Sequence, residues 1–122
     1  MFKIFRAADG PVVDMENGRG TTVNLVDGAL GAESLDVHIN RLVPGGPRGR
    51  VHRHSRSDNV YIVKRGEGTL TVEDDIHTIR EDDVVFIPAG MRHSLSNLSE
   101  DPLELFEIYA PAGAAFDFLI DD

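Results

Sequence analysis

A chain of 122 residues with 41% hydrophobic side chains can build one core of ordinary size and is too short for two. Its formal net charge of -9 repels phosphate backbones and offers no basic tract to anionic lipid, which argues against nucleic-acid and membrane partners. Cysteine is absent, so disulfides and thiolate metal ligands are excluded. No stretch approaches the roughly 20 apolar residues of a membrane helix, and the first ten residues lack the apolar run of a secretory signal. The expectation is a soluble cytoplasmic protein.

Apolar and polar residues alternate in short runs separated by turn signals, the pattern of strands. Phe2, Ile4 and Phe5 predict a first strand, and Thr22 to Val26 a second. Leu35, Val37 and Ile39 share one face of a third, with Asp36, His38 and Asn40 on the other, before the Pro44-Gly45-Gly46-Pro47 turn. Further strands are expected over Val60 to Lys64, Thr69 to Glu73, Ile76 to Arg80, Val84 to Ile87 and Leu103 to Tyr109. In the last of these, Phe106 and Ile108 oppose Leu105, Glu107 and Tyr109, and the alternation leaves open which set faces inward. No stretch keeps a helical apolar period for three turns. The pattern predicts an all-β sandwich or barrel. It is read as a single domain over 1-122, with a core barrel at about 34-110, an N-terminal arm over 1-33 and a C-terminal tail over 111-122.

Chemistry concentrates in the histidines. His52 and His54 are two apart, which on a strand puts both rings on one face. Imidazole ligates Zn, Fe and Ni-class ions well. His93 follows some forty residues later, after a Pro-x-Gly turn, and only a fold that returns the chain can bring it close. The spacing Gly46-(x5)-His52-x-His54-(x4)-Asn59-(x6)-Gly66, followed by Asp82-(x5)-Pro88-x-Gly90-(x2)-His93-(x3)-Asn97, resembles the paired motifs of the cupins, G(x)5HxH(x)3-4E(x)6G and G(x)5PxG(x)2H(x)3N.

That resemblance implies a cupin-type double-stranded β-helix, a jelly-roll barrel with a partly apolar cavity at its wide end. It implies one divalent metal ion per chain, Fe, Mn, Zn or Ni, on His52, His54, His93 and the residue at the family's glutamate position. That residue here is Asn59, which would ligate more weakly than a carboxylate; exchanging it for glutamate would then tighten metal retention. Asp58 fits the motif's shorter spacing and would reach the ion only through a bulge. Asn59 could equally orient a histidine from behind. Asp82 replaces the first glycine of the second motif, which alters a turn.

Around this centre, strand parity makes Arg50 and Tyr61 candidates for the substrate pocket, with His38 as a pocket acid or base and Phe106 as a wall. Each also has a plain structural reading, as a solvated charge or as core. The resemblance further implies a small-molecule ligand and a homodimer. Phe2-Ile4-Phe5 and Phe116-Phe118-Leu119-Ile120 are candidates for the dimer contact, unless the latter covers the barrel mouth of its own chain. Two functional readings follow: a metal-dependent enzyme acting on a small oxygen-rich organic molecule, or a non-catalytic binding or sensing cupin with weak or lost metal binding.

Overall fold

The computed structural model describes residues 2–122, and its regular structure is antiparallel strands apart from three short 3-10 turns. In chain order these are β1 (Val12–Asp14), β2 (Gly20–Val26), β3 (Asp36–Leu42), β4 (His52–Arg53), β5 (Asp58–Arg65), β6 (Glu67–Val72), β7 (Asp75–Arg80), β8 (Val84–Ile87), β9 (His93–Ser96), β10 (Leu103–Ala110) and β11 (Leu119–Ile120). The larger sheet runs β1-β2-β3-β10-β5-β8 and the smaller β11-β4-β9-β6-β7. The two sheets pack into the expected jelly roll. No helix among the described residues is long and apolar enough to cross a membrane.

The alternating runs of the sequence became β2, β3, β5, β6, β7, β8 and β10 with shifts of a few residues at their ends. Residues 12–26, expected within the arm, form β1 and β2 at the edge of the larger sheet. The expected strand at Phe2–Phe5 is absent: these residues are exposed and pair with no strand among the described residues, and their one side-chain tie is from Lys3 Nζ to the Leu30 carbonyl at 2.7 Å. Strands β4, β9 and β11 escaped the alternation signal because they are too short to display a period of two.

Register decides which side chains meet inside. On β10, Leu105 lies between Asn40 and Val63, Glu107 between His38 and Tyr61, and Tyr109 between Asp36 and Asn59. The odd-numbered face of β10 is therefore the inner one. Phe106 points the other way and lines no part of the cavity, so its expected place in the pocket is corrected; its ring sits 6.0 Å below the Lys64 ammonium.

Along the interior the chemistry changes from end to end. Leu42, Val63, Leu70, Ile79, Ile87, Leu95, Leu103 and Leu105 pack into one buried cluster that fills one end of the barrel. Each such side chain stabilises the fold by about 1.5–3 kcal/mol through burial. One strand step further on, the inward positions turn polar: His38, Asn40, Asn59 and Glu107. A packed plug thus supports a polar chamber.

Two turns hold the motif residues in place. Gly66 joins β5 to β6 with φ 87, and a Cβ there would lie 2.3 Å from the Pro102 carbonyl oxygen, so only glycine fits. Asp82 has φ 71, the left-handed region that suits glycine and that aspartate tolerates better than most residues, which explains why the departure from the motif leaves the turn intact.

Candidate metal centre

The three histidines arrive on neighbouring strands of the smaller sheet. His52 of β4 pairs directly with His93 of β9, and His54 follows two residues on. The Pro88-Ala89-Gly90 turn is tied to the same place, because the Gly90 N–H donates to the His54 carbonyl at 2.7 Å. Ring centroids are 4.3 Å apart for His52 and His93, 5.0 Å for His52 and His54, and 5.5 Å for His54 and His93. One potential ligand atom from each ring lies within 4.8 Å of the others.

Their hydrogen bonds set the tautomers. Nδ1 of His52 donates to the Arg50 carbonyl at 2.8 Å, Nδ1 of His54 to the Asp117 carbonyl at 2.7 Å, and Nδ1 of His93 to the Met91 carbonyl at 2.9 Å. A carbonyl only accepts, so each Nδ1 carries the proton and each neutral ring keeps its lone pair on Nε2. The Nε2 atoms of His54 and His93 are buried with no hydrogen-bond partner. Burial, with the neighbouring rings adding to it, pushes His52 down to about 4, and burial likewise lowers His93. Both are therefore neutral at pH 7, the state a ligand must be in. Buried, unpartnered and convergent nitrogens of this kind fit a divalent ion, and the cysteine-free donor set suits Zn, Fe or Ni-class metals.

Asn59 is also fully buried, and its neighbour decides its orientation. Its Nδ2 donates to Glu107 Oε2 at 2.8 Å, while Oδ1 is buried without a partner. Asp58 takes the outward face, exposed, where its carboxylate accepts from the Ala89 N–H at 3.1 Å.

Glu107 is the residue sequence reasoning missed. It is largely buried, lines the cavity and accepts from His38 Nε2 at 2.8 Å, Asn40 Nδ2 at 2.7 Å and Asn59 Nδ2 at 2.8 Å. Burial alone would raise its pKa, but these hydrogen bonds and the His38 charge bring it down to about 2. His38 in turn is depressed by burial, yet its contacts with Glu107 and, through Nδ1 at 2.8 Å, with Asp36 carry it above the ordinary histidine value. The result is an imidazolium clamped between two carboxylates. The sequence signal was the Glu107/Tyr109 parity, which alternation alone could not orient.

A cavity of about 290 Å³ opens beside these groups, lined among others by Arg19, His38, Asn40, His52, His54, Tyr61, Glu107, Phe116 and Phe118. Tyr61 and His38 both line this cavity and are buried. Arg50 stands at the rim with its guanidinium already engaged by Glu16 at 3.1 Å and Asp122 at 3.6 Å, which leaves it little freedom to bind a ligand. The tail closes one wall over its own chain. Phe118 stacks on His52 at 4.2 Å, Phe116 stacks on Tyr109 at 3.9 Å, and β11 pairs with β4.

A β-barrel with a polar chamber and three converging imidazoles defines a class of small-molecule proteins rather than a single activity. The family model for the cupin domain matches residues 38–109, and the chain belongs to the cupin family. It is 34% identical over 101 residues to a 1-hydroxy-2-naphthoate 1,2-dioxygenase of Nocardioides sp. strain KP7, covering 81% of this chain but only 26% of that protein. An uncharacterized protein of Methanocaldococcus jannaschii is 27% identical over 88 residues, 65% of this chain and 70% of the relative. In structure the chain is similar to the polyketide cyclase RemF of Streptomyces resistomycificus, with a TM-score of 0.85 over 100% of this chain and 87% of that one at 19% identity, a likeness of fold.

Proposed function

We propose that this cupin is a metal-dependent enzyme that holds one divalent ion, Fe, Mn, Zn or Ni, on His52, His54 and His93, with Asn59 Oδ1 as a fourth donor. Its substrate on this reading is a small oxygen-rich organic molecule. The observation that carries the reading is the set of imidazoles whose Nδ1 atoms are committed to carbonyls while the Nε2 atoms of His54 and His93 lie buried and unpartnered. A buried polar atom left alone costs roughly 1–3 kcal/mol, and a ligated ion removes that cost. The names of a dioxygenase and a cyclase among the similar proteins accord with an enzyme but do not select a reaction.

A bound ion supplies Lewis acidity toward a substrate oxygen. The chain's own groups do the rest. Burial and Glu107 raise the Tyr61 hydroxyl well above its ordinary value, so it stays protonated and can donate to a ligand. Phe116 and Phe118 shield the histidines from water. Elemental analysis of untagged, chelator-free protein tests the reading: about one ion per chain is expected, and trace metal alone would sink it.

The second reading, a binding or sensing cupin, draws on the neutral donor at position 59. Here the contact with Glu107 changes the expected result of one substitution. Asn59→Glu alone would set a second carboxylate against Glu107, so we expect a loss of roughly 3–5 kcal/mol in metal-free stability rather than simply tighter binding. Asn59→Glu with Glu107→Gln should cost clearly less than the two single changes summed, because the new carboxylate can accept from the glutamine amide. Denaturant unfolding of the four proteins in the cycle reads the coupling, and additive effects would show that the two side chains do not share a charge.

Cytoplasmic residence and a homodimer complete this reading. The outer face of the larger sheet carries an apolar patch over three strands, Ile108 beside Val60 and Phe86, and Phe106 beside Ile62 and Val84; Ile39, next in that row, is buried by its own chain. Val84 and Phe86 are 68% and 63% exposed, and the detached Phe2 and Ile4 are 83% and 89% exposed. A second copy is the occupant that fits a molecule bearing both an apolar face and an apolar arm. Phe86→Asp should shift sedimentation from dimer to monomer; a wild type that is already monomeric at micromolar concentration would refute the pairing.

A further inference from the structure

Arg41, Arg50, Arg53, Arg65, Arg80 and Arg92 each meet a carboxylate within 3.5 Å. Among the described residues the remaining arginines, Arg6, Arg19, Arg48 and Arg56, meet no carboxylate at ion-pair distance, and of these only Arg19 is half-buried and lines the cavity while the others are exposed. Its guanidinium makes one hydrogen bond in the protein, from Nη2 to the Leu95 carbonyl at 3.0 Å, and its Nε is buried without a partner. Burial lowers its pKa, offset in part by Tyr61, Glu16 and Glu107, all of which stand beyond ion-pair distance.

The chain nevertheless keeps this costly arrangement in shape. The backbone carbonyl of Arg19 accepts from the Val43 N–H at 2.9 Å, which fixes the start of the side chain. Gly49 makes room for its end: a Cβ at position 49 would lie 2.7 Å from Arg19 Nη2 and 2.4 Å from the Leu95 carbonyl oxygen. A partly desolvated cation held in a cavity wall with unused N–H groups is arranged to receive an anion. Glu107 does not compete for it, because three donors already occupy that carboxylate.

We propose that Arg19 is the anion-recognition residue of the cavity, and that the ligand is a small organic acid whose carboxylate pairs with its guanidinium. This deepens the enzyme reading above and rests on it for the ligand's other end, an oxygen directed to the three imidazoles. The planar fork matches the two coplanar oxygens of a carboxylate. A phosphate carries more negative charge than a carboxylate into a site where the charges of Glu16 and Glu107 already act, which disfavours it. The volume of about 290 Å³ accommodates a small organic acid.

Calorimetric titration with lactate and glycerate, their neutral amides and inorganic phosphate tests this, on both zinc-loaded and chelator-treated protein. Both acids should bind wild type about 10- to 100-fold more tightly than the amides, and Arg19→Gln should erase that preference with zinc content unchanged. Arg19→Lys, which keeps the charge and loses the fork, should fall between. Should Arg19→Gln fail to fold, the acid-to-amide comparison on wild type decides alone. Equal binding of acid and amide, tighter binding of phosphate, no acid binding at all, or an unchanged preference in a folded Arg19→Gln would each overturn the proposal. Zinc loading is read separately: acid preference in protein that takes up no zinc when zinc is supplied would leave Arg19's role standing and sink the metal reading instead.

Discussion

Replacing His93 with alanine should leave the barrel folded and strip it of its metal. His93 sits at the point where β4 meets β9, so its ring contributes both a donor and packing against His52. Without metal, however, its Nε2 is a buried polar atom with no partner, and removing that atom offsets part of the lost packing. The stability of metal-free His93→Ala should therefore fall by less than the roughly 2–5 kcal/mol of an ordinary large-to-small core change. Metal affinity behaves differently. A complete site contributes about 10–16 kcal/mol in apparent binding, so loss of one ligand of three or four should weaken it on the order of a thousandfold. Dialysis against a competing chelator, followed by elemental analysis, reads the affinity. Unfolding midpoints with and without added metal read the linkage, since only a protein that binds metal in its native state gains stability from it. Equal metal content in wild type and His93→Ala would remove the basis for the centre.

Glu107→Gln should be the most damaging single change in the chamber. A glutamine offers one acceptor oxygen and an NH2 group where three donors, from His38, Asn40 and Asn59, now converge. At least one donor loses its partner, His38 loses one of its two counter-charges, and Asn59 loses the acceptor that fixes its amide. A loss of roughly 3–5 kcal/mol is expected for breaking a buried pair in this way.

The pH profile of metal-free unfolding identifies the cause. Glu107 is held at about 2, below its unfolded value, so its contribution is present above the usual carboxylate range and lost as pH falls toward 2. His38 is raised, so its contribution is complete below about 6.5 and declines as pH climbs through its folded value. In Glu107→Gln both slopes should flatten. A third slope should survive: His52 and His93 are lowered, so the unfolded chain binds more protons and stability drops as pH falls from about 6.5 toward 4. An unchanged alkaline slope in the variant would mean that His38 draws nothing from Glu107.

The residues that could be placed from the sequence were those whose environment is written in local order. Alternation put Asn59, Tyr61 and Val63 on one face of β5, and counting back from Gly66 favoured Asn59 over Asp58; the structure has that parity. The convergence of His93 with His52 followed from a family pattern and not from any local signal, because β4 and β9 are too short to show a period. Glu107 was visible only as one of two possible faces of β10, and a carboxylate beside Tyr109 gave no reason to choose inside. Arg19 was invisible: it lies in the turn before β2, and its isolation depends on what its neighbours across the barrel do not offer. The partner of His54 Nδ1 is a backbone carbonyl, that of Asp117, and every residue has one.

That carbonyl belongs to a segment whose attachment differs in kind from the rest of the site. Residues 111–122 are fastened by a two-residue strand, by Arg53 to Asp121, by Asp117 to Ser55, by Asp122 to Arg50 and the Val51 N–H, and by Ser57 to the Pro111 carbonyl. Yet they supply the aromatic side of the chamber and the acceptor that sets one imidazole. The barrel and its aperture therefore answer to separate forces. Displacing the tail would break contacts with the histidines and Tyr109 but none of the packing among the core leucines. By the same token, substitutions along the tail can change which molecules enter while the scaffold beneath stays as it is.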